Sequence, residues 1–409
     1  MATHTESNGH RASLKVGDRF SVTIEKVAHG GHFIARHLGA VIFVRHAIPG
    51  EECVVELTSV GSSFNRGDVV EVITPSVDRA TAPCVYAHAK GCGGCDFQHI
   101  TPARQRELKR DVIIESFARI AKKQVDVEVI EVGPSLGWRT HFGAVTTNSG
   151  NLGFYKSRSH SVVPITDCRI AAQGLNLPEL ASKKWKGNQR IEISLSNTGE
   201  VTVASGAARV EGPLDLISGP DPAHYKVGEK VLEVSQKAFW QSHEKAPQVL
   251  TKAVLELAKP LLGEKILDLY GGVGLFTSVL LDAVGEGGRV DLVEGSKAAT
   301  ADATRNFSGR ANVGVHTGDV GKILPRFAQA DVIVLDPPRE GAGREVLQHA
   351  SALAPRAIVY VACDPAALAR DVTYLEEYGY SMDSLSAYDL FPMTHHIESV
   401  ALFTPIKVS

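Results

Sequence analysis

No apolar run in these 409 residues approaches the roughly 20 that a membrane helix needs. The opening segment, Met1-Ala-Thr-His-Thr-Glu-Ser-Asn-Gly-His10, lacks an apolar core and a cleavage site. Residues 1–13 therefore read as a polar, disordered tail rather than a signal peptide, and a cytoplasmic protein is expected. Cysteine is scarce, with Cys53, Cys84, Cys92, Cys95, Cys168 and Cys363 the whole set. In a cytosolic chain these are no disulfide framework, and the grouping of Cys84, Cys92 and Cys95 points to metal or redox chemistry. No excess of one charge marks a nucleic-acid binder, because the net charge is only −3. The distribution is uneven, however: residues 101–190 hold 15 Lys+Arg against 8 Asp+Glu, or +7, which leaves −10 for the rest. A local basic stretch counts for more in phosphate contact than the global sum. There is no internal repeat and no low-complexity segment. What remains is an ordinary globular composition, 44% hydrophobic and 22% charged, long enough for roughly two to four domains.

Residues 14–73 read as a small all-β unit. Val16-Gly-Asp-Arg-Phe-Ser-Val-Thr-Ile24 alternates apolar and polar, Gly30-Gly31 marks a turn, and Ala40–Val44, Glu52–Thr58 and Asp68–Ile73 follow as short strands. Their spacing suits an OB-like barrel, a common oligonucleotide platform. Residues 74–98 carry Pro75, Pro83, Gly91, Gly93 and Gly94 around three cysteines, so an irregular loop is expected. Residues 103–122 predict a basic amphipathic helix, and short strands such as Arg190–Leu195 and Glu200–Ala204 make 74–235 an α+β middle region.

From about residue 245 the pattern becomes strand–helix–strand. Strands are predicted at Lys265–Tyr270, Arg289–Glu294, Gly314–Gly318, Asp331–Asp336, Ala357–Cys363, Ser381–Ala387 and Ser399–Phe403, the first six separated by helices. This is the doubly wound α/β signature, whose ligands lie at the carboxyl ends of the strands. Ile266-Leu-Asp-Leu-Tyr-Gly-Gly-Val-Gly-Leu-Phe276 is a strand entering a glycine turn, where Gly271, Gly272 and Gly274 let the backbone turn sharply beside a ligand. Thr277 stands where a dinucleotide site has its third glycine, and no Gly-Lys-Ser/Thr of a P-loop follows. Glu294, about 20 residues on, is placed to accept hydrogen bonds from a ribose. With Gly318-Asp319 after the third strand, this suits S-adenosylmethionine, which carries a ribose but no pyrophosphate.

Three further segments carry the chemistry: Val332-Ile-Val-Leu-Asp-Pro-Pro-Arg339, Val359-Tyr-Val-Ala-Cys-Asp-Pro365 and Asp389-Leu-Phe-Pro-Met-Thr-His-His-Ile-Glu-Ser399. Cys363 ends an apolar strand, and the helix starting after Pro365 is expected to lower its thiol pKa through the helix dipole. Carbon 5 of uracil is a poor nucleophile. Thiolate attack at carbon 6 makes an enolate whose carbon 5 can take a methyl group. A base must then remove the proton from carbon 5, and Glu398 is the candidate. The target base has to be flipped into a pocket lined by Asp336 and the rigid Pro337-Pro338 turn.

Together these residues resemble the TrmA/RumA-type S-adenosylmethionine-dependent RNA 5-methyluridine methyltransferases over nearly the whole chain. The resemblance makes 14–73 a TRAM RNA-binding domain, 74–235 a central α+β domain and 236–409 a class I, Rossmann-like methyltransferase domain. It implies transfer of a methyl group to carbon 5 of a uridine in rRNA or tRNA, with Cys363 as nucleophile and Glu398 as proton-removing base. It also implies Gln241, Tyr270, Gly272, Glu294 and Asp336 as cofactor contacts, and Cys84, Cys92, Cys95 and Cys168 as ligands of a [4Fe–4S] cluster. Read from the residues alone, the Cys-x₂-Cys pair beside a third cysteine fits zinc as well as iron–sulfur. The gap between Cys84 and Cys92 is longer than the family pattern, Gly271 and Leu275 replace its cysteine and asparagine, and Met393 replaces a frequent histidine. A monomer is the default expectation. Two rivals stand beside this reading. One is methylation of another base, although Arg339 follows the prolines where enzymes acting on exocyclic nitrogens usually carry an aromatic residue, and no second catalytic cysteine besides Cys53 is free for cytosine. The other is a non-catalytic iron–sulfur RNA-binding protein on a methyltransferase scaffold.

Overall fold

The computed structural model describes residues 14–209 and 212–407. The tail 1–13 lies outside the described residues. Five strands close the N-terminal barrel: β1 (Arg19–Ala28), β2 (His32–His37), β3 (Ala40–Arg45), β4 (Glu52–Ser59) and β5 (Asn65–Thr74), in the order β1-β2-β3-β5-β4. Alternation along each strand sends Val22, Ile24, Phe33, Ile42, Val44, Val55 and Leu57 inward and polar residues outward. Strand β2 goes beyond the segments recognised in the sequence; it starts directly after the Gly30-Gly31 turn.

Helix α1 (Pro102–Ser116) runs on for one π turn at Phe117–Ala121 and stops at Lys122, whose backbone is left-handed. The helix expected over 103–122 forms, but its basic residues do not make a free cationic face. Lys109 lies inside, fully buried, with its Nζ 2.6 Å from Asp389. The outer bases are matched: Arg104 with Glu107, Arg106 with Glu131 and Arg110 with Asp126. The helix is therefore a structural strut and not a free cationic face.

The middle region contributes to more than one body. Strand β6 (Val129–Glu131) joins the edge of the C-terminal sheet beside β20 (Tyr380–Asp389). Strands β7 (His141–Thr146), β8 (Leu152–Tyr155), β9 (Val162–Pro164), β10 (Gln189–Leu195), β11 (Val201–Ala207) and β12 (Asp215–Ser218) form a six-stranded sheet with short helix α2 (Leu177–Ser182). The hairpin β13 (Ala223–Val227) and β14 (Lys230–Val234) packs into the core of the C-terminal sheet through Tyr225, Leu232 and Val234.

The C-terminal sheet has the order β17-β16-β15-β18-β19-β21-β20-β6. Strands β15 (Lys265–Leu269), β16 (Arg289–Glu294), β17 (Val313–Thr317), β18 (Val332–Leu335) and β19 (Ala357–Ala362) are parallel, and β21 (Glu398–Pro405) inserts antiparallel between β19 and β20 (Tyr380–Asp389). Both faces are covered, which is why β18 and β19 are apolar throughout. Helices α3 (Ala246–Ala258), α4 (Leu275–Val284) and α5 (Lys297–Asn306) pack on one side. Helices α1, α6 (Val320–Ile323), α7 (Gly343–Ala352) and α8 (Pro365–Glu377) pack on the other. Strand order reverses at β15, between β16 and β18, so the ligand crevice belongs there. No helix among the described residues is long and apolar enough to cross a membrane.

Candidate active site

Strand β15 delivers the glycine turn. Tyr270 already has φ +60, and Gly272 follows at φ +55 with open space where a side chain would begin. At Gly274, φ +98, a Cβ would run into the Phe307 ring. The turn is braced from below by Asp268, which accepts from the Thr277 backbone N–H at 2.9 Å and its hydroxyl at 2.6 Å. The other Asp268 oxygen is buried without a partner, and burial pushes this carboxyl up to about 6. Glu294, at the end of β16, accepts from Gly272 N–H at 3.1 Å and Ser296 N–H at 2.6 Å. Leu275 turns inward to the core, and the cavity is lined without it.

One cavity of about 1160 Å³ opens at the crevice, and Gln241, Tyr270, Gly272, Glu294, Asp336, Cys363 and Glu398 all line it. The seven come from the ends of β15, β16, β18, β19 and the start of β21, plus the segment before α3. Burial, then the charges of Asp268 and Glu294, push Asp336 up to about 7. Burial and the neighbouring Asp336 raise Glu398 well above the ordinary carboxylate range. Acids held this way are typical of sites that hold and hand over protons.

The dipole expectation for Cys363 needs correction. The half-buried thiol is pushed up to about 12, first by burial and then by the charges of Glu398 and Asp336, while Arg339 pulls the other way. Asp364 explains why α8 does not help. Its Oδ1 accepts from the Ala366 and Ala367 N–H groups, both at 2.9 Å, so the helix start is spent on that carboxylate. Burial and the two facing acids therefore favour the protonated thiol at this site.

The segment 390–397, which leads to Glu398, is pinned by three separate cores. Leu390 packs into one face of the large sheet, Ile397 into the other, and Met393 into the core of the six-stranded sheet. Lys109 holds it through Asp389 and the Phe391 carbonyl, at 2.6 and 3.0 Å. Gln105 accepts from Met393 N–H at 2.8 Å, and the Met393 carbonyl accepts from Asp96 and Phe97 N–H groups at 3.1 and 3.0 Å. Asp96 also meets His395 Nδ1 at 2.6 Å. From the barrel, His29 Nε2 reaches Asp364 Oδ2 at 2.9 Å, next to the nucleophile candidate. His29, Asp96, Gln105 and Lys109 went unrecognised in the sequence. The one available signal was Lys109, a polar residue in line with Gln105, Leu108, Ile113 and Ser116 on the buried side of α1.

Cys84, Cys92, Cys95 and Cys168 are free and line a second cavity of about 250 Å³. Gly93, Gly94 and Arg139 wall both cavities, so the two are neighbours. Burial, reinforced by the other thiols, raises Cys92 and Cys95 and pushes Cys168 up to about 11. Arg139 lies half-buried beside these sulfurs, with its Nε donating to the His141 carbonyl at 2.8 Å. Among the described residues, no group of three or more His, Cys, Asp or Glu side chains is disposed to hold a metal ion. The cavity brings the four sulfurs to one place but does not by itself show a cluster.

Comparison with known proteins agrees with the architecture. A family model described as tRNA (Uracil-5-)-methyltransferase matches residues 321–405, and a TRAM domain model matches residues 13–70. The chain is 38% identical to an RNA methyltransferase of Streptomyces coelicolor, over 95% of this chain and 93% of that protein. It is 32% identical to the 23S rRNA (uracil(1939)-C(5))-methyltransferase RlmD of Shewanella amazonensis, over 95% of this chain and 96% of that protein. The tRNA (uracil-54, C5)-methyltransferase of Pyrococcus abyssi, solved in complex with S-adenosyl-L-homocysteine, shares the fold with a TM-score of 0.72 at 22% identity, covering 94% of this chain and 99% of that one. A crevice at the strand reversal, a barrel beside it and full-length kinship of this kind have one reading: the chain belongs to the S-adenosylmethionine-dependent RNA uracil-C5 methyltransferases.

Proposed function

We propose that this enzyme methylates carbon 5 of a uridine in ribosomal RNA through a temporary bond between Cys363 and the uracil ring. The observation that carries the mechanism is the shared cavity in which Cys363, Glu398 and Asp336 face one another. S-adenosylmethionine supplies an electrophilic methyl group on a positively charged sulfonium. Tyr270, Gly272, Glu294 and Gln241 form the end of the cavity suited to its ribose and amino-acid parts. The Cys363 thiol first gives up its proton to solvent water, which the positive Arg339 nearby favours. The thiolate attacks carbon 6, forming a sulfur–carbon bond, and carbon 5 takes the methyl group from the sulfonium, which leaves as the neutral thioether S-adenosylhomocysteine. The ionised Glu398 carboxylate accepts the proton from carbon 5. The electron pair left behind restores the ring double bond and expels the thiolate. Ribosomal RNA is favoured over transfer RNA because the full-length kinship at 32% identity is to an rRNA enzyme, whereas the tRNA enzyme at 22% shares the fold alone. Such a substrate is met in the cytoplasm, the compartment we propose.

RNA carrying 5-fluorouridine tests the mechanism, because fluorine at carbon 5 cannot leave as a proton. The wild-type enzyme with S-adenosylmethionine should give a covalent adduct stable on a denaturing gel, and Cys363→Ala none. An adduct retained by Cys363→Ala overturns the role of that sulfur. Nucleoside mass spectrometry of rRNA from cells lacking the gene should show one 5-methyluridine missing; loss from tRNA instead overturns the substrate assignment.

The cysteine cavity we assign to a [4Fe–4S] cluster held by Cys84, Cys92, Cys95 and Cys168. A zinc ion would need four sulfurs about 2.3 Å from one centre. Thiols spread around about 250 Å³ fit a polynuclear cluster better. Anaerobically purified protein should contain iron and acid-labile sulfide; zinc in stoichiometric amount without sulfide would overturn the assignment.

A further inference from the structure

A smaller cavity of about 60 Å³ adjoins the active cavity at Cys363. Cys363, His29, His395, His396 and Arg339 line both, so the two meet at the thiol. A water molecule needs about 10–15 Å³ and two to four polar partners, and the small cavity offers both. A thiol pushed up to about 12, by burial first and then by Glu398 and Asp336, has to be helped to release its proton. Glu398 is reserved for the proton of carbon 5. The three imidazoles beside the sulfur are the remaining acceptors.

They are not equivalent. Burial, then the charges of His395 and Arg339, push His396 down to about 3, so it cannot keep a proton near neutrality. His29 meets Asp364 through Nε2 at 2.9 Å, but its side chain is 51% exposed and open to bulk water. The His395 side chain is only 26% exposed, and its Nδ1 lies 2.6 Å from Asp96 Oδ2. A carboxylate only accepts, so Nδ1 carries the hydrogen and Nε2 keeps its lone pair. A carboxylate behind an imidazole fixes the ring and stabilises the cation that forms when it takes a proton. This pair is held from two sides. The Asp96 backbone N–H donates to the Met393 carbonyl at 3.1 Å, which ties the acid to the segment that carries His395. A Cβ on Gly31 (φ +76) would come within 2.9 Å of both Asp96 Cγ and His395 Nδ1, so the barrel's glycine turn closes over the pair. The other charges around the small cavity do not compete. Lys109 is bound to Asp389, Asp364 to His29 and the start of α8, and the positive Arg339 favours the thiolate.

Resting on the reading of Cys363 as the nucleophile, we propose that His395, oriented by Asp96, takes the Cys363 proton through a water molecule in the small cavity. The thiol proton passes to the water, and a proton of that water passes to His395 Nε2. Thiolate and imidazolium remain. When the thiolate is expelled from carbon 6 at the end of the reaction, the same path returns the proton and restores both groups.

The test follows the covalent adduct with rRNA and tRNA transcripts containing 5-fluorouridine, in single turnovers at saturating enzyme and S-adenosylmethionine. The fluorinated ring stops before the step assigned to Glu398, so the rate of adduct formation reports thiol attack and methyl transfer alone. His395→Ala and His395→Gln should each slow adduct formation about a hundredfold or more, the usual worth of a positioned base. Their rates should climb about tenfold per pH unit, more steeply than the wild type, as hydroxide replaces the lost acceptor. Free imidazole at constant pH should restore part of the rate to His395→Ala in proportion to its concentration, and melting temperatures should show that both variants are folded. A wild-type rate in either variant overturns the proposal and leaves the enzyme reading intact. A slow variant with the wild-type pH dependence and no response to imidazole makes His395 a packing residue and overturns it too. The steep pH dependence and imidazole response in His29→Ala instead would assign the proton to the other dyad. No adduct from the wild-type protein on either RNA overturns the enzyme reading, and the proposal with it.

Discussion

At one end of the active cavity, Tyr270, Gly272, Glu294 and Asp336 come from the ends of β15, β16 and β18, neighbouring strands of a single sheet. Their geometry is local: a glycine turn, a carboxylate bonded to two backbone N–H groups, and a buried Asp268 holding the turn to α4. At the other end, Cys363 and Glu398 are set by partners from everywhere else. His29 comes from the barrel, Asp96 from the cysteine loop, and Gln105 and Lys109 from α1. The end we assign to the methyl donor is built once by the sheet. The end we assign to the RNA base is assembled from four parts of the chain, so it should be the more fragile.

The sharpest way to break that comparison is Lys109→Met. It leaves Asp389 buried without its cation, and breaking such a pair costs about 3–5 kcal/mol. Urea unfolding should show that loss, and methyl transfer should fall with it. Affinity for S-adenosylmethionine, measured by calorimetry, should change less than about threefold, because distant sites behave independently. An equal collapse of donor affinity would mean the two ends are one unit.

Protonation sharpens the same contrast. Folded Asp336 keeps its proton up to about 7, whereas an unfolded aspartate ionises near about 3.9. Between those values the folded chain binds the extra proton, so this contribution to stability is full below about pH 4 and is lost as pH rises through about 7. Asp336→Asn should therefore gain stability relative to wild type between about pH 5 and about pH 8 in urea titrations. A pH-independent difference would show that Asp336 is ionised throughout. The raised Glu398 pKa has the matching kinetic consequence: methyl transfer at saturating donor should rise with pH, since the base must be ionised.

The smallest effect should come from His29→Ala. The histidine is half exposed, so its contact with Asp364 contributes about 1 kcal/mol or less. Melting should hardly move, while methyl transfer slows a few-fold if the barrel steadies the residue after Cys363. An unchanged rate would make the contact a surface pair and nothing more.

The donor end was legible because its signals are local in sequence. Strand, glycine turn and following acid occupy Ile266–Glu294, and their periodicity carries over directly to β15, α4 and β16. The other end was legible only as residue types. Asp96 looks like any residue after a cysteine, and His29 like any loop histidine, until the barrel docks against α8. The basic helix misled for the same reason: charge counted along the chain does not say that Arg104, Arg106 and Arg110 have carboxylates waiting and that Lys109 points inward. Cys363 is the clearest case. A helix after a cysteine suggests an activated thiolate, but Asp364 occupies the helix start and two acids face the sulfur.

By itself the sequence determined the layered architecture, the closed barrel and which strand ends carry reactive groups, because backbone periodicity and turn chemistry act over a few residues. Only the tertiary structure decided the ionisation of those groups and which cations meet a carboxylate, because charge and solvation depend on neighbours that the chain brings from far away.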